Sequence, residues 1–419
     1  MDSFNKSFIR IVRRLITGIG IFILTLVFIF VMLYLWTPVY KFTQPTPFRG
    51  SKLFNPYASM DSNNWRKANF HMHSHMAGGV TDGRMNTSKA IFNTYQRLGY
   101  NVFSISDYMR INSYEQEKQT YIPAYEHGYG IWKNHQLCIG SKSVSFLDYP
   151  FGQTLNDKQY VINVLKKKND IVAIAHPEFR KGYSPNDFRY LRNYDLLEAL
   201  NHYRFSLLQW DAALSSGYPA YILASDDAHD INKPGEVGRC VTFINAPSTK
   251  AGDIISNLKA GNAYGVSVGR YKNETIDSIV STAVNIPKVN GITIRNDSLF
   301  VSVSAKAEAF RFISQNGKLR LSVPNSTKAA YPINKADTYV RTEILFAGIH
   351  VADSITIYLN PVYRYNGIKP VKPSSPKINI AVTLVYRIIS FCTLIFIVIN
   401  IFVFRKRMRL GLKNQVLNS

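Results

Sequence analysis

The chain carries an apolar run near each end, and these two runs constrain its fold more than any other feature. Leu15 to Trp36 holds no charged residue and is long enough to cross a bilayer as a helix. In hydrocarbon the backbone must satisfy its own hydrogen bonds, and a single run can do that only as a helix. A second run, Ile388 to Phe404, is shorter; Ala381 to Tyr386 lengthen it if Arg387 snorkels outward. Trp36 and Tyr40 suit an interfacial aromatic belt. Lys6, Arg10, Arg13 and Arg14 before the first run also fit a cleaved signal peptide. The run exceeds a usual signal core, however, and Leu35-Trp36-Thr37-Pro38 closes it without a small-x-small cleavage site, so a retained anchor is expected. Arg405, Lys406, Arg407, Arg409 and Lys413 follow the second run. Basic outer flanks predict that both termini are cytoplasmic. The segment between the spans is then exported, to a periplasmic or other extracytoplasmic space.

Charge adds a milder constraint. The chain has 50 basic and 27 acidic residues. Setting aside the tails and the second run removes ten basic residues and one acid, leaving the central segment near +14. Such a surface attracts anionic substrates or lipid headgroups, although lysine-rich coding produces the same balance. Cys138, Cys240 and Cys392 do not make a disulfide framework. Cys392 lies in the second run; Cys138 and Cys240 sit in apolar strand-like runs and are expected to be buried thiols.

The central segment divides into regions of different rhythm. Residues 1–14 are a tail, 15–36 a span and 37–66 a proline-bearing linker. From 67 to 268, β-like runs alternate with helical stretches at Thr87 to Leu98, Asp157 to Lys168, Asp187 to Leu191, Phe205 to Ser215 and Lys250 to Ala260. This alternation predicts βα units around a parallel sheet or barrel. Residues 269–368 read as short alternating strands separated by turn signals such as Asn296-Asp297 and Asn316-Gly317, which predicts a small all-β, sandwich-like domain. A second linker (369–380), a second span (381–404) and a basic tail (405–419) complete the plan.

Eight of the nine histidines fall between residues 71 and 229, six of them in short ordered blocks. These are His71-Met72-His73-Ser74-His75, Ser106-Asp107-Tyr108, Glu126, His135, Ala175-His176-Pro177 and Ser225-Asp226-Asp227-Ala228-His229. Imidazoles and carboxylates are the ligand set of zinc, manganese and iron. His71, His73 and His75 alternate along a strand and so share one face. A single buried histidine usually satisfies a core hydrogen bond, and His-x-His alone is a weak signal. The joint order of blocks, each at a strand end, points to one shared metal site.

This order resembles the PHP family of metal-dependent phosphoesterases, named from polymerase and histidinol phosphatase, over roughly Asn69 to Val268. Asn69-Phe70-His71-Met72-His73, Phe103 to Tyr108, Ile122 to Glu126, Ile174 to Pro177 and Ala224 to His229 carry the resemblance. It implies a distorted (β/α)7 barrel with two or three divalent ions (Mn, Zn or Fe) at one mouth. It also implies a first metal on His71, His73, Glu126 and Asp227, and a second on His135 and His176, bridged by Glu126. A third site would use His229, an acid or histidine after the first motif, and a further histidine. This chain has Tyr108 at that last position, while Asp82 or His75 could fill part of the site. Arg84, Arg180, Lys181 and Arg239 are candidates to neutralise phosphate oxygens, with Glu126 and Asp227 central to catalysis. Glu198 and Asn201 read as supporting residues. Residues 339–343 and 358–365 are aromatic-rich and are similar to an accessory domain of some bacterial members.

The expectation is thus an anchored, outward-facing enzyme that hydrolyses a phosphomonoester or diester through a metal-activated water. The alternative is a catalytically weakened envelope protein that binds metal or glycan for structural ends. A C–N or C–O hydrolase of amidohydrolase type is a third option, though a glutamate bridge fits the phosphoesterase pattern better. A phosphorylated small molecule or envelope component and the membrane are the partners implied; no nucleic-acid motif is present.

Overall fold

The computed structural model describes residues 2–75, 83, 85–269, 274–347 and 354–417. Asp82 and Arg84 lie outside the described residues. The chain begins with helix α1 (Asp2–Trp36), then strands β1 (Tyr40–Lys41), β2 (Lys52–Phe54) and β3 (Trp65–Asn69). Helix α2 (Ser88–Arg97) leads to β4 (Val102–Phe103), β5 (Ala124–His127) and β6 (Gln136–Ser141). Next come α3 (Leu155–Leu165), β7 (Asn169–Ile174), α4 (Pro185–Phe188), β8 (Leu196–Asn201), α5 (Leu207–Ser215) and β9 (Tyr221–Ser225). Strand β10 (Cys240–Asn245), α6 (Ala251–Ala260), β11 (Ala263–Val268) and α7 (Ile276–Val284) follow. The remaining strands are β12 (Val289–Arg295), β13 (Ser298–Ser314), β14 (Lys318–Pro332), β15 (Tyr339–Phe346), β16 (Ile355–Leu359), β17 (Val362–Tyr365) and β18 (Lys377–Ile378), before the final helix α8 (Ile380–Leu417).

Local sequence explains several of these elements. At α2 the Thr87 side chain accepts the Ala90 amide, while Ile91 and Tyr95 are buried one turn apart. A reciprocal Thr154–Asp157 capping box starts α3. Strands β6, β8, β9, β10 and β11 are buried at every position, as strands covered on both faces must be. That burial explains their continuous apolar runs.

The barrel expectation is corrected: neither large sheet closes on itself. One sheet has five strands in the order β5-β6-β7-β8-β9, with β7, β8 and β9 parallel and β6 antiparallel to both β5 and β7. The other has 11 strands and contains β3, β4, β10 and β11. The gap between β9 and β10 has a side-chain cause. The Thr242 hydroxyl accepts the Ala224 amide at 2.9 Å and donates to the Ala224 carbonyl at 2.8 Å, taking backbone groups that a strand partner would use. Strand β10 pairs instead with β3 and β11, antiparallel to both. Isolated parallel bridges, Met72 with Ala228 and Tyr108 with Glu126, join segments just beyond the strands.

The separate β sandwich is replaced as well. Strand β16 pairs with β11 from Tyr264↔Leu359 to Val268↔Ile355, so the late strands continue the 11-stranded sheet. The expected linker also contributes: β2 pairs with β17, and Tyr57 is fully buried.

By contact, residues 43–375 form one compact unit, and residues 1–42 with 376–419 form another. In the latter, β1 pairs with β18, the Val39 amide donates to Thr383 Oγ1, and Arg387 lies over the Trp36 ring at 5.1 Å. Its helices include Phe8–Trp36 and Ile380–Val403, both long and apolar enough to cross a membrane. Cys138 and Cys240 are buried thiols.

Candidate metal centre

Extended chain just past β3 presents His71 and His73 on one side, while Phe70 and Met72, which alternate with them, are in the core. That segment is locked to the turn after β9: the Asp227 amide donates to the His71 carbonyl at 2.8 Å, and the His73 amide to the Ala228 carbonyl at 3.0 Å. Glu126 lies on β5, and His176 follows β7. Because β6 runs antiparallel to its neighbours, His135 at its start reaches the same edge as residues at their ends.

Two buried groups form there. His71, His73, Glu126 and Asp227 have ligand-capable atoms within 4.8 Å of one another, as do Glu126, His135 and His176. Glu126 belongs to both and divides its oxygens between them. Its Oε2 lies 3.3 Å from His71 Nε2 and 3.2 Å from His73 Nε2. Its Oε1 lies 2.5 Å from His135 Nδ1 and 2.9 Å from His176 Nε2. Asp227 Oδ1 is 3.2 Å from both His71 Nε2 and His73 Nε2. In the second group His135 Nδ1 and His176 Nε2 both bond Glu126 Oε1, whereas in the first His71 Nε2 and Glu126 Oε2 are buried without a hydrogen-bond partner among the described residues. Donor atoms that converge without pairing suit cations between them, and N/O donors are what Mn, Zn and Fe accept.

The electrostatics agree. Burial opposes ionisation of Glu126, but the His135 and His71 imidazoles outweigh it and hold the carboxyl well below its usual range. Burial opposes a charged Asp227 too, and His71 and His73 reverse that. Burial also works against charged histidines here. Asp227, Glu198 and Glu126 nevertheless raise His71 well above its usual value, and Asp227 and Glu126 raise His73 to about 9. Without cations, the carboxylates recruit protons onto His71, His73 and His176, while burial pushes His135 below its usual value.

Surrounding residues hold this arrangement. Glu198 Oε1 lies 2.9 Å from His71 Nδ1, and its Oε2 accepts the His176 amide at 2.7 Å. A proton on Nδ1 leaves His71 Nε2 as the free donor atom. Asn201 Nδ2 donates to Glu198 at 3.1 Å and to Asp227 at 3.2 Å. Asp107, present in its sequence block but given no role there, accepts the Ser74 amide at 2.7 Å and fixes the chain after His73. Asp226, also missed, accepts the amides of Gly238, Arg239 and Cys240 and the Tyr95 hydroxyl. Its side chain thereby closes a turn that leaves Asp227 aimed the other way. The available signal was the doublet itself at the end of β9, where one carboxylate can serve backbone amides and the other the centre. Asp227 and His176 have φ of 54° and 26°, a conformation that non-glycine residues adopt under local constraint.

The other expected residues fall outside both groups. His229 is partly exposed, with Nδ1 3.6 Å from Asp227 Oδ1 and Nε2 3.4 Å from the Tyr108 hydroxyl. Burial, and then Glu126 and Asp227, push the Tyr108 phenol well above its usual value, so it keeps its proton. Arg180 is exposed and donates to the Ile131 carbonyl at 3.2 Å; Lys181 is exposed too. Arg239 is buried and occupied by the Pro234 and Gly269 carbonyls and Glu274, which removes it as a phosphate-binding candidate.

No family model matches the chain, and no curated protein matches it. A solved two-domain protein from Bacteroides vulgatus, containing a predicted PHP-like metal-dependent phosphoesterase, is similar at 12% identity and a TM-score of 0.38. The match covers 76% of this chain and 99% of that one.

Proposed function

We propose that the chain is a membrane-anchored, outward-facing phosphoesterase that hydrolyses a phosphomonoester or diester with two divalent cations. The observation that carries this reading is Glu126, a buried carboxylate that offers one oxygen to each of two ligand groups. His71, His73 and Asp227 would complete the first site, and His135 and His176 the second. Cations held there supply a Lewis-acid clamp on the phosphoryl group and a water acidified toward neutral pH. The protein's own residues then have defined tasks. Glu198 keeps the His71 Nδ1 proton in place, and Asn201 steadies Asp227. The neutral Tyr108 hydroxyl is a hydrogen-bond donor at the mouth, which suits a phosphate oxygen better than a third cation. Arg180, on the loop after His176, is available to meet the substrate's remaining charge.

The test uses the full chain purified without chelator and generic phosphomonoester and phosphodiester substrates. Hydrolysis of either class should disappear on chelation, return with Mn or Zn, and be absent in Asp227→Ala. A folded, metal-loaded protein inert on both classes would favour the structural, metal-binding alternative.

A further inference from the structure

Five exposed large apolar side chains lie close together in sequence on two loops beside the metal centre. The first, residues 128–134, carries Tyr129, Ile131 and Trp132 and leads directly into His135. The second, residues 142–154, carries Phe146 and Phe151. All five side chains are 50–70% exposed. Isolated apolar residues on a surface need no explanation, but a cluster marks an interaction site. These loops form one surface: the Ile131 amide donates to the Pro150 carbonyl at 3.0 Å, and the Tyr129 and Gly130 amides donate to Asp148 Oδ2 at 2.7 and 3.2 Å. The Tyr129 hydroxyl adds a bond to the Asp148 carbonyl at 2.8 Å.

Charge on this surface has one sign. Lys133 lies beside Ile131 and Trp132, while Lys142 sits at the far end of β6; the loops' one acid, Asp148, is buried beneath the Tyr129 turn. Arg180, bonded to the Ile131 carbonyl, and Lys181 extend the basic edge. Tyrosine and tryptophan among aliphatic and phenylalanine side chains, fringed by lysine and arginine, make up a membrane-interface composition. The basic fringe specifies an anionic leaflet.

We infer that these two loops dock onto an anionic lipid surface, with Trp132, Ile131 and Phe146 entering the headgroup boundary. The terminal helices, apolar enough to span a bilayer, bring the chain to such a surface. Docking through the loop that carries His135 presents the metal centre to phosphates borne by lipids. The inference does not depend on what the metal centre catalyses.

The experiment places the full chain in phosphatidylcholine vesicles, with or without phosphatidylglycerol, containing lipids brominated along the acyl chain. Subtracting the emission of Trp132→Phe isolates the Trp132 signal. That signal should shift to the blue and be quenched by brominated lipid in the anionic vesicles, and less so in the neutral ones. Lys181→Gln should weaken the anionic preference by roughly five-fold, the worth of one cation near a charged leaflet. Phe146→Ser should reduce quenching in both vesicle types. Trp132 emission that stays open to aqueous acrylamide and blind to brominated lipid overturns the inference. So does shielding that grows only with protein density in the vesicle, because that outcome makes the surface a contact between copies. Metal content measured on the same samples reports separately on the metal centre.

Discussion

At Glu198 a single carboxylate controls two candidate ligands, through His71 Nδ1 and the His176 amide. Outer partners of this kind tune metal sites strongly, so Glu198→Ala is expected to lower cation affinity by about 10- to 100-fold. Competition against a fluorescent chelator measures it, and an unchanged affinity would deny Glu198 that role. His73 gives the pH dependence. In the cation-free protein its value is raised to about 9 from an ordinary 6.5, so its folded state binds the proton more tightly. That stabilisation is complete below about 6.5 and is lost as pH rises through about 9. Glu126 and Asp227 are depressed and act in the opposite direction, losing their contribution only as pH falls below the ordinary carboxylate range. Relative to metal-loaded protein, chelator-stripped protein should therefore lose melting temperature between pH 7 and pH 9.5, a comparison in which the buried Lys67 and Lys372, lowered to about 7 and about 8, cancel. Metal-loaded protein, whose histidines are neutral ligands, should not show that loss, and loading at pH 7 should release protons.

Helix α5 and strand β15 meet through a buried ion pair in place of an apolar contact. Arg341 donates to Asp211 Oδ1 and Oδ2, both at 2.8 Å, and to Glu343 Oε1 at 2.6 Å, with its guanidinium 5.0 Å over the Trp210 ring. Arg341→Ala strands Asp211 in the interior and should cost about 3–5 kcal/mol by denaturant unfolding. The double variant Asp211→Leu/Arg341→Met should recover much of that stability. Elements such as α2, α3, α5 and α6 were legible because caps and apolar spacing act locally, although the helix expected at Asp187 to Leu191 forms at Pro185–Phe188. The metal-centre blocks were legible because histidines and acids are rare enough inside strands to stand out. Strand partnering was not legible. Whether β10 pairs with β9 or β3 turns on the Thr242 hydroxyl and the Asp226 carboxylate, side chains whose partners are distant in sequence. For the same reason the β16–β11 pairing, which merges two expected domains into one sheet, left no periodic trace. Strand β2 is three residues long, too short to show alternation.

In the proposed function, the terminal helices locate the chain and the central unit carries the chemistry. If both helices cross the membrane, protease added to intact cells should cut within residues 43–375 and leave both basic tails protected. Cleavage of a tail epitope in sealed cells would reject that topology. The central claim is a two-cation centre bridged by Glu126, and counting metal ions tests it most directly. The full chain, purified without chelator and measured by elemental analysis, should carry two ions per chain; Glu126→Gln, still folded by circular dichroism, should lose both. A folded wild-type chain with no metal, or a Glu126→Gln variant that keeps two ions, would contradict the account.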